Sequence, residues 1–141
     1  MGARDQDARK PLRVLLVEDE FVVSMTLRVQ LEALGCEVVG TAKDANTGID
    51  MAESLQPDVI LMDIGLRGKS GVEATREIMQ IAPTKVIVVT AYGDDRVRQA
   101  LEAGARVVLM KPVLEEQLAQ ALTEVTGREC RPVQRDDVEE S

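Results

Sequence analysis

Five short apolar runs, each followed by a segment with helical spacing, constrain the fold of this chain more than any other feature. Each run is too short for an ordinary helix and is rich in Val, Ile and Leu, which favours a β-strand. The runs lack the apolar and polar alternation of a half-exposed sheet, so the strands are expected to be buried on both faces. Alternation of strand and helix at this spacing predicts an α/β fold, a doubly wound parallel sheet with helices on both faces and right-handed crossovers. The predicted strands are Leu12–Val17, Glu37–Thr41, Val59–Met62, Lys85–Val89 and Val107–Met110.

Helical patterns fill the intervals between these strands, and residues that end helices bound them. In the first helix, which extends to about Leu34, the residues Val23, Leu27 and Leu31 recur at helical spacing before Gly35 stops it. We expect the methionines to fill the core and Val97 and Leu101 to pack inward. The other predicted helices run from Asp44 or Ala45 to about Leu55, from Val72 through Met79 to a stop before Pro83, from about Asp94 to Ala103, and from Leu114 to Val125.

The alternating pattern leaves one domain over residues 11–126 and two flanking segments. Residues 1–10 mix charges of both signs, and residues 127–141 are acidic with no apolar period, so we expect both to be disordered. No second domain and no helix-turn-helix pattern is visible in the sequence. Residues 1–10 also lack the apolar centre of a signal peptide or membrane anchor.

Charge and residue usage disfavour several classes of function. A net charge of −8 argues against non-specific binding to nucleic acids or anionic membranes, so we expect neither as a direct partner. The chain has no histidine, which removes zinc sites, general bases and phosphoryl groups carried on that residue. Cys36 and Cys130 match no metal-binding spacing, and we expect a reduced, cytoplasmic setting. The sequence leaves open a redox role for Cys130 or a disulfide through Cys130 that links two chains.

Polar side chains follow four of the five predicted strands, at the point where each strand ends. Glu18 and Asp19 follow the first strand, Asp63 the third, Thr90 the fourth and Lys111 the fifth. One such residue alone would be read as a turn or helix-capping residue. The carboxyl ends of parallel strands, however, meet at one edge of the sheet, where open α/β folds bind their ligands. We therefore predict that these five side chains form one site.

The chemistry of this set points to a divalent cation and a phosphate. Clustered carboxylates repel each other, and Mg²⁺, which prefers oxygen ligands, relieves that repulsion. Lys111 and Thr90 suit the oxygens of a phosphoryl group. A carboxylate can itself be a nucleophile that becomes an aspartyl phosphate. Asp63 is the natural choice because it is central, whereas Glu18 and Asp19 are neighbours in the sequence.

Four separated segments, read together, resemble the receiver domain of two-component response regulators. They are Val17–Glu20, Met62–Asp63, Thr90–Ala91 and Lys111–Pro112, and the likeness in order, spacing and strand context covers about Leu12–Val125. The resemblance implies a flavodoxin-like, five-stranded sheet of order 2-1-3-4-5. It also implies a phosphoacceptor signalling module rather than an enzyme with turnover. Its donor would be a sensor histidine kinase, a phosphotransfer protein or a small acyl phosphate.

The resemblance also implies roles for individual residues. Asp63 would accept the phosphoryl group, and Asp19, Asp63 and the backbone carbonyl of Gly65 would ligate Mg²⁺. Glu18 would act on the metal through a bound water. The two residues that would bind the phosphoryl oxygens are Thr90 and Lys111. The Lys111–Pro112 bond matches the position of the family's cis peptide.

Phosphorylation adds negative charge and three acceptor oxygens, which can draw Thr90 toward them and move the loop that follows it. This movement would change the surface formed by the fourth helix, the fifth strand and the fifth helix, where a downstream partner or output domain would bind. The sequence leaves open whether the protein also forms a homodimer. Family members commonly carry an aromatic switch residue three positions before the lysine, and here that residue is Val108. We hypothesise that Tyr92 takes over part of this switch or shields the acyl phosphate. Arg67 replaces a common proline, so the loop 64–70 is expected to be more mobile or differently shaped.

Other functions remain as alternatives. The chain could be the receiver half of a longer transcriptional or enzymatic regulator rather than a stand-alone module. It could also be a Mg²⁺-dependent phosphatase with Asp63 as nucleophile, although the haloacid-dehalogenase pattern needs a second aspartate where Gly65 stands. Gly68-Lys69-Ser70 resembles the end of a nucleotide-binding P-loop, but Asp63 occupies the position of its first glycine, which favours a solvated loop.

Overall fold

A computed structural model describes residues 10–91, 93 and 95–131. The predictions for residues 1–9, Tyr92, Asp94 and 132–141 lie outside this part of the chain. Within it, five parallel strands form one sheet in the order β2-β1-β3-β4-β5, which confirms the predicted fold class and strand order. The strands are β1 (Arg13–Val17), β2 (Glu37–Ala42), β3 (Val59–Asp63), β4 (Lys85–Thr90) and β5 (Val107–Met110).

The connecting helices begin and end where local chemistry satisfies the free backbone groups. The side chain of Asp44 accepts a hydrogen bond from the Thr47 N–H at 2.8 Å, and Ser70 and Glu73 form a reciprocal capping box. Gly127 ends the last helix in the left-handed conformation at φ 74°. The helices are α1 (Phe21–Ala33), α2 (Ala45–Leu55), α3 (Gly71–Ile81), α4 (Asp95–Ala103) and α5 (Glu115–Thr126). The predicted bounds of the helices and strands lie within one or two residues of those in the structure.

The sheet separates two apolar layers. Alternate residues of the strands, such as Leu15 and Ile60, face α2, α3 and α4. The intervening residues, such as Leu16 and Leu61, face α1 and α5. Every residue of β3 is buried, as the sequence predicts for a central strand. Because apolar residues pack on both faces of the sheet, the strands are fixed in place and their polar carboxyl ends lie together at one edge.

Three apolar residues predicted to lie inward are exposed. Met25, Leu101 and Met110 each expose more than two fifths of their surface. Met25 lies on the outer face of α1, and Met110 is the last residue of the edge strand β5. In α4 the two buried residues are Ala100 and Ala103, and Leu101 is turned away from them. The prediction for Leu101 was wrong because helical spacing shows which residues share one face of a helix, but not how that face is turned toward the sheet.

Among the described residues, no helix combines the length and the apolar character needed to cross a lipid bilayer.

Candidate functional site

Three acidic side chains converge at the carboxyl edge of the sheet. Glu18 and Asp19 follow β1, and Asp63 is the last residue of β3. One carboxylate oxygen from each lies within 4.8 Å of the others. Glu18 and Asp63 are only 4% and 5% exposed, so their charges are poorly solvated. The structure therefore brings together the three carboxylates that the sequence predicts as one cluster.

Backbone contacts fix the positions of these carboxylates. The Glu18 N–H donates to the carbonyl of Ala42 at 2.9 Å, which extends the pairing of β1 with β2 beyond the strand. The Gly65 N–H donates to Asp63 Oδ1 at 2.8 Å, and the Glu20 N–H donates to Glu18 Oε2 at 3.2 Å. Each of the two buried carboxylates thus has one oxygen engaged by a nearby backbone donor.

Gly71 lets the start of α3 approach the end of β3 closely. A Cβ atom added at Gly71 would lie 2.3 Å from the carbonyl oxygen of Asp63 and 2.6 Å from Cα of Ile64. Both atoms belong to the backbone, so neither can rotate away. Only glycine fits here without moving α3 or the strand end that carries Asp63, and sequence reasoning assigned Gly71 no role.

Lys111 places its ammonium among the acidic groups. Its Nζ lies 3.0 Å from Glu18 Oε1, 3.5 Å from Asp63 Oδ2 and 3.5 Å from Glu20 Oε1. Burial opposes the charged form, but the contact with Glu18 and the charges of Asp63 and Glu20 outweigh it and raise the pKa of Lys111. Lys111 is therefore a fixed cation beside Asp63. The Lys111–Pro112 peptide is cis, as the resemblance implies.

One buried oxygen of the cluster has hydrogen-bonding capacity left over. Glu18 Oε1 lies 3.0 Å from Lys111 Nζ in an ion pair, and apart from this contact the oxygen has no hydrogen-bond partner among the described residues. Burial raises the pKa of Glu18 to about 7; the Asp63 charge adds to this rise and Lys111 opposes it. One ammonium thus does not compensate the carboxylates around it, and the cluster has the chemistry of a cation site.

The spacing of the oxygens suits magnesium. Ligands at about 2.0–2.1 Å from an octahedral ion lie roughly 3 Å apart when adjacent and roughly 4 Å apart when opposite. Carboxylate oxygens within 4.8 Å of one another need only small side-chain adjustments to reach these separations. The hard oxygen ligands also match the preference of this ion. Asp19, Asp63 and Glu18 therefore fit a magnesium site.

An open cavity of about 330 Å³ lies beside the cluster, with room for a small phosphorylated group. Arg67 at its rim is 96% exposed on its side chain and lies 4.0 Å from Asp19, so solvent screens most of that attraction. Thr90 ends β4 and is fully buried, one residue before Ala91, which lines the cavity. The lining residues are Asp19, Glu20, Asp63, Gly65, Arg67, Ala91 and Lys111.

The remaining predicted residues have different surroundings. Val108 is half-buried and packs against the core layer on the α2, α3 and α4 side of the sheet. Tyr92 lies outside the described residues, so its role stays a prediction. Lys69 of the P-loop-like sequence pairs with Glu77 at 2.7 Å on the surface, as suits a solvated loop. Sequence reasoning missed Glu20 as a partner of Lys111; the run of three acidic residues after β1 was the available signal.

Comparison with known proteins agrees with this architecture. The response regulator receiver domain family matches residues 14–123. The transcriptional regulatory protein LiaR of Bacillus subtilis is 41% identical over 79% of this chain and 54% of its own length. The chemotaxis protein CheY of Thermotoga maritima is 34% identical over 81% of this chain and 97% of its own length. The crystal structure of the response regulator domain of Thermotoga maritima CheB is 35% identical and superposes with a TM-score of 0.71, covering 82% of this chain and 92% of that one. The chain thus spans about half the length of LiaR and nearly all of CheY.

Proposed function

The chain belongs to the response regulator receiver family, and on this premise we propose that Asp63 accepts a phosphoryl group in a magnesium-dependent transfer. The donor is a sensor histidine kinase, a phosphotransfer protein or a small acyl phosphate. One observation carries the proposal: Asp63 shares a three-carboxylate cluster with Glu18 and Asp19 while Lys111 Nζ lies 3.5 Å from its Oδ2. A buried nucleophile, a cation site and a fixed ammonium are the parts that phosphoryl transfer requires.

In the transfer, a carboxylate oxygen of Asp63 forms a bond to phosphorus as the bond from phosphorus to the donor breaks. The Gly65 N–H holds the other side of the carboxylate through its 2.8 Å hydrogen bond. Lys111 approaches from the cavity side and neutralises negative charge on the phosphoryl oxygens. Asp19, Asp63 and the Gly65 carbonyl would hold a magnesium ion, with Glu18 acting through a water, and the ion would supply further positive charge against these oxygens.

The result of the transfer is a change of binding surface. In this proposal Thr90, at the end of β4, responds to the new phosphoryl oxygens, and α4 follows it in the chain. The surface formed by α4, β5 and α5 carries three exposed large apolar residues in the described part of the chain: Leu101, Met110 and Leu114. Exposed apolar groups of this kind favour docking of a protein. The half-buried Val108 lies on β5 beneath this surface.

Two arrangements fit such a switch. As a stand-alone module, the phosphorylated protein binds a separate target through the α4, β5 and α5 surface. As part of a longer regulator, the same surface meets an output domain. The reading frame of the native gene decides between the two.

The experiment is an intact-mass measurement after incubation with acetyl phosphate and Mg²⁺. The wild-type protein should gain one phosphoryl group and Asp63→Asn none. A chelator should abolish the gain in the wild-type protein. Continued release of phosphate from simple phosphate esters that depends on Asp63 would instead indicate a phosphatase. Equal labelling of wild type and Asp63→Asn would refute Asp63 as the acceptor.

A further inference from the structure

The short segment that follows α5 folds back onto the domain. The Cys130 N–H donates to Thr123 Oγ1 at 3.1 Å, one turn before the end of α5. The Arg128 guanidinium donates to the carbonyl of Lys10, near the start of β1. Cys130 itself packs against the core layer that also contains α1 and α5. Cys130 is thereby held at a fixed place.

That place adjoins the other cysteine of the chain. Cys36 lies immediately before β2, is 8% exposed and belongs to the same core layer. Its backbone N–H donates to the Leu31 carbonyl at 2.9 Å, which anchors it at the end of α1. The side chains of Cys36 and Cys130 interact with each other as hydrogen-bond partners, and this interaction shifts their pKa values in opposite directions. Two thiols that are remote in sequence are therefore neighbours in the fold.

Their surroundings make the two thiols unequal. The hydrogen bond from Cys36 and the nearby Arg128 charge lower the pKa of Cys130, with burial opposing them. The same hydrogen bond and burial raise the pKa of Cys36. Cys130 also lines an open surface cavity of about 360 Å³ between α5 and the following segment, whereas Cys36 is buried. The sulfur that is reachable from the surface has the lowered pKa, and the sulfur buried behind it has the raised pKa.

We propose that Cys36 and Cys130 form a peroxide-reactive dithiol that closes to an intramolecular disulfide. The Cys130 thiolate attacks one oxygen of a hydroperoxide, the O–O bond breaks, and the products are Cys130 sulfenic acid and, after protonation of the leaving oxygen, water or an alcohol. Cys36 sulfur then attacks the sulfenic sulfur, its proton leaves with the hydroxyl group as water, and the S–S bond forms. With hydrogen peroxide, two thiols and one peroxide give one disulfide and two waters; the thiols lose two electrons and the peroxide gains them.

The disulfide ties residues 127–131 to the start of β2. Oxidation therefore restrains the segment that follows α5, and this segment is remote from the carboxylate cluster. The proposal does not depend on phosphoryl transfer, because neither cysteine belongs to the cluster around Asp63.

The test treats the full chain with equimolar hydrogen peroxide, followed by intact mass and peptide mapping without reductant. Wild type should lose two hydrogens and yield a peptide that joins Cys36 to Cys130. Cys36→Ser should stop at sulfenic acid, and dimedone should label it at Cys130. Cys130→Ser, the matched control, should leave Cys36 at least ten-fold less reactive than Cys130 in Cys36→Ser.

A second measurement follows the rate of iodoacetamide alkylation of Cys130 against pH. The midpoint should move to higher pH in Cys36→Ala, because alanine has no donor and the hydrogen bond that stabilises the thiolate is gone. Disulfides between two chains in place of the internal bond would overturn the proposal. So would equal reactivity of Cys36 and Cys130 in the two single variants, or an unchanged alkylation midpoint.

Discussion

Replacing Gly71 by alanine should damage both the fold and the phosphoacceptor site. The added Cβ would lie 2.3 Å from the Asp63 carbonyl oxygen and 2.6 Å from Ile64 Cα, where ordinary contacts begin at 3.4 Å. The start of α3 and the end of β3 must therefore separate by about 1 Å, since both contacts are with backbone. No side-chain rotation can relieve the clash.

The magnitude follows from two opposing effects. Forcing an extra carbon into a packed region costs typically about 1–3 kcal/mol. Alanine favours the helix over glycine by up to about 1 kcal/mol, and less at a first helical position. We expect the free energy of unfolding to fall by about 2 kcal/mol, which is about 1 M in the urea midpoint for a typical slope. A shift of about 1 Å beside Asp63 should also slow its phosphorylation by about 10- to 100-fold.

Urea unfolding followed by circular dichroism measures the stability, and intact mass against time with acetyl phosphate measures the rate. Gly93→Ala is the matched control, because among the described residues a Cβ there meets the end of the flexible Met110 side chain alone, at 3.5 Å. Its stability should stay within about 0.5 kcal/mol of wild type. If Gly71→Ala unfolds at the same urea concentration as Gly93→Ala and is phosphorylated at the wild-type rate, the close approach does not hold the site together.

Two further substitutions test the charges at the site. Lys111→Ala should slow phosphorylation of Asp63 about 100-fold, as for loss of one charge-stabilising donor, and time courses of intact mass measure this; a rate within two-fold of wild type would contradict the role of its ammonium. Burial raises the pKa of Glu18 from its ordinary value of 4.5 to about 7 in the folded protein. Between these pH values the folded state keeps a proton on Glu18 that the unfolded state has already released. The free energy of unfolding in chelator should therefore fall as pH rises through this range, and in Glu18→Gln this part of the fall should vanish; parallel curves for the two proteins would contradict the assignment.

The sequence was sufficient for the sheet and for the carboxylate cluster because both rest on local pattern and one topological rule. Apolar runs such as Val59–Met62 mark the strands, and parallel connection sends Asp19, Asp63 and Lys111 to one edge. The requirement for glycine at position 71 could not be predicted from local pattern, because it depends on how closely α3 passes the end of β3 in space. The exposure of Leu101 likewise depends on the rotation of α4 against the sheet.

The neighbourhood of Cys36 and Cys130 lay beyond sequence reasoning for a similar reason. Nothing in the polar segment after α5 indicates the direction in which the chain turns. The turn is produced by the left-handed Gly127 together with the hydrogen bond from the Cys130 N–H to Thr123 Oγ1. The polar composition of residues 127–141 predicts disorder, whereas residues 127–131, the part of this segment that the structure describes, make contacts with the domain.

The small side chains beneath α4 have an energetic consequence. The residues that this helix buries are two alanines, Ala100 and Ala103, whereas α5 buries Leu118, Leu122 and Val125. At about 0.8 kcal/mol for each buried carbon, lifting α4 from the sheet forfeits roughly 2 kcal/mol of apolar contact. One hydrogen bond to a charged phosphoryl oxygen supplies about 1.5–3 kcal/mol. The free energy of a single new bond at the end of β4 is therefore on the scale needed to reposition the helix that follows.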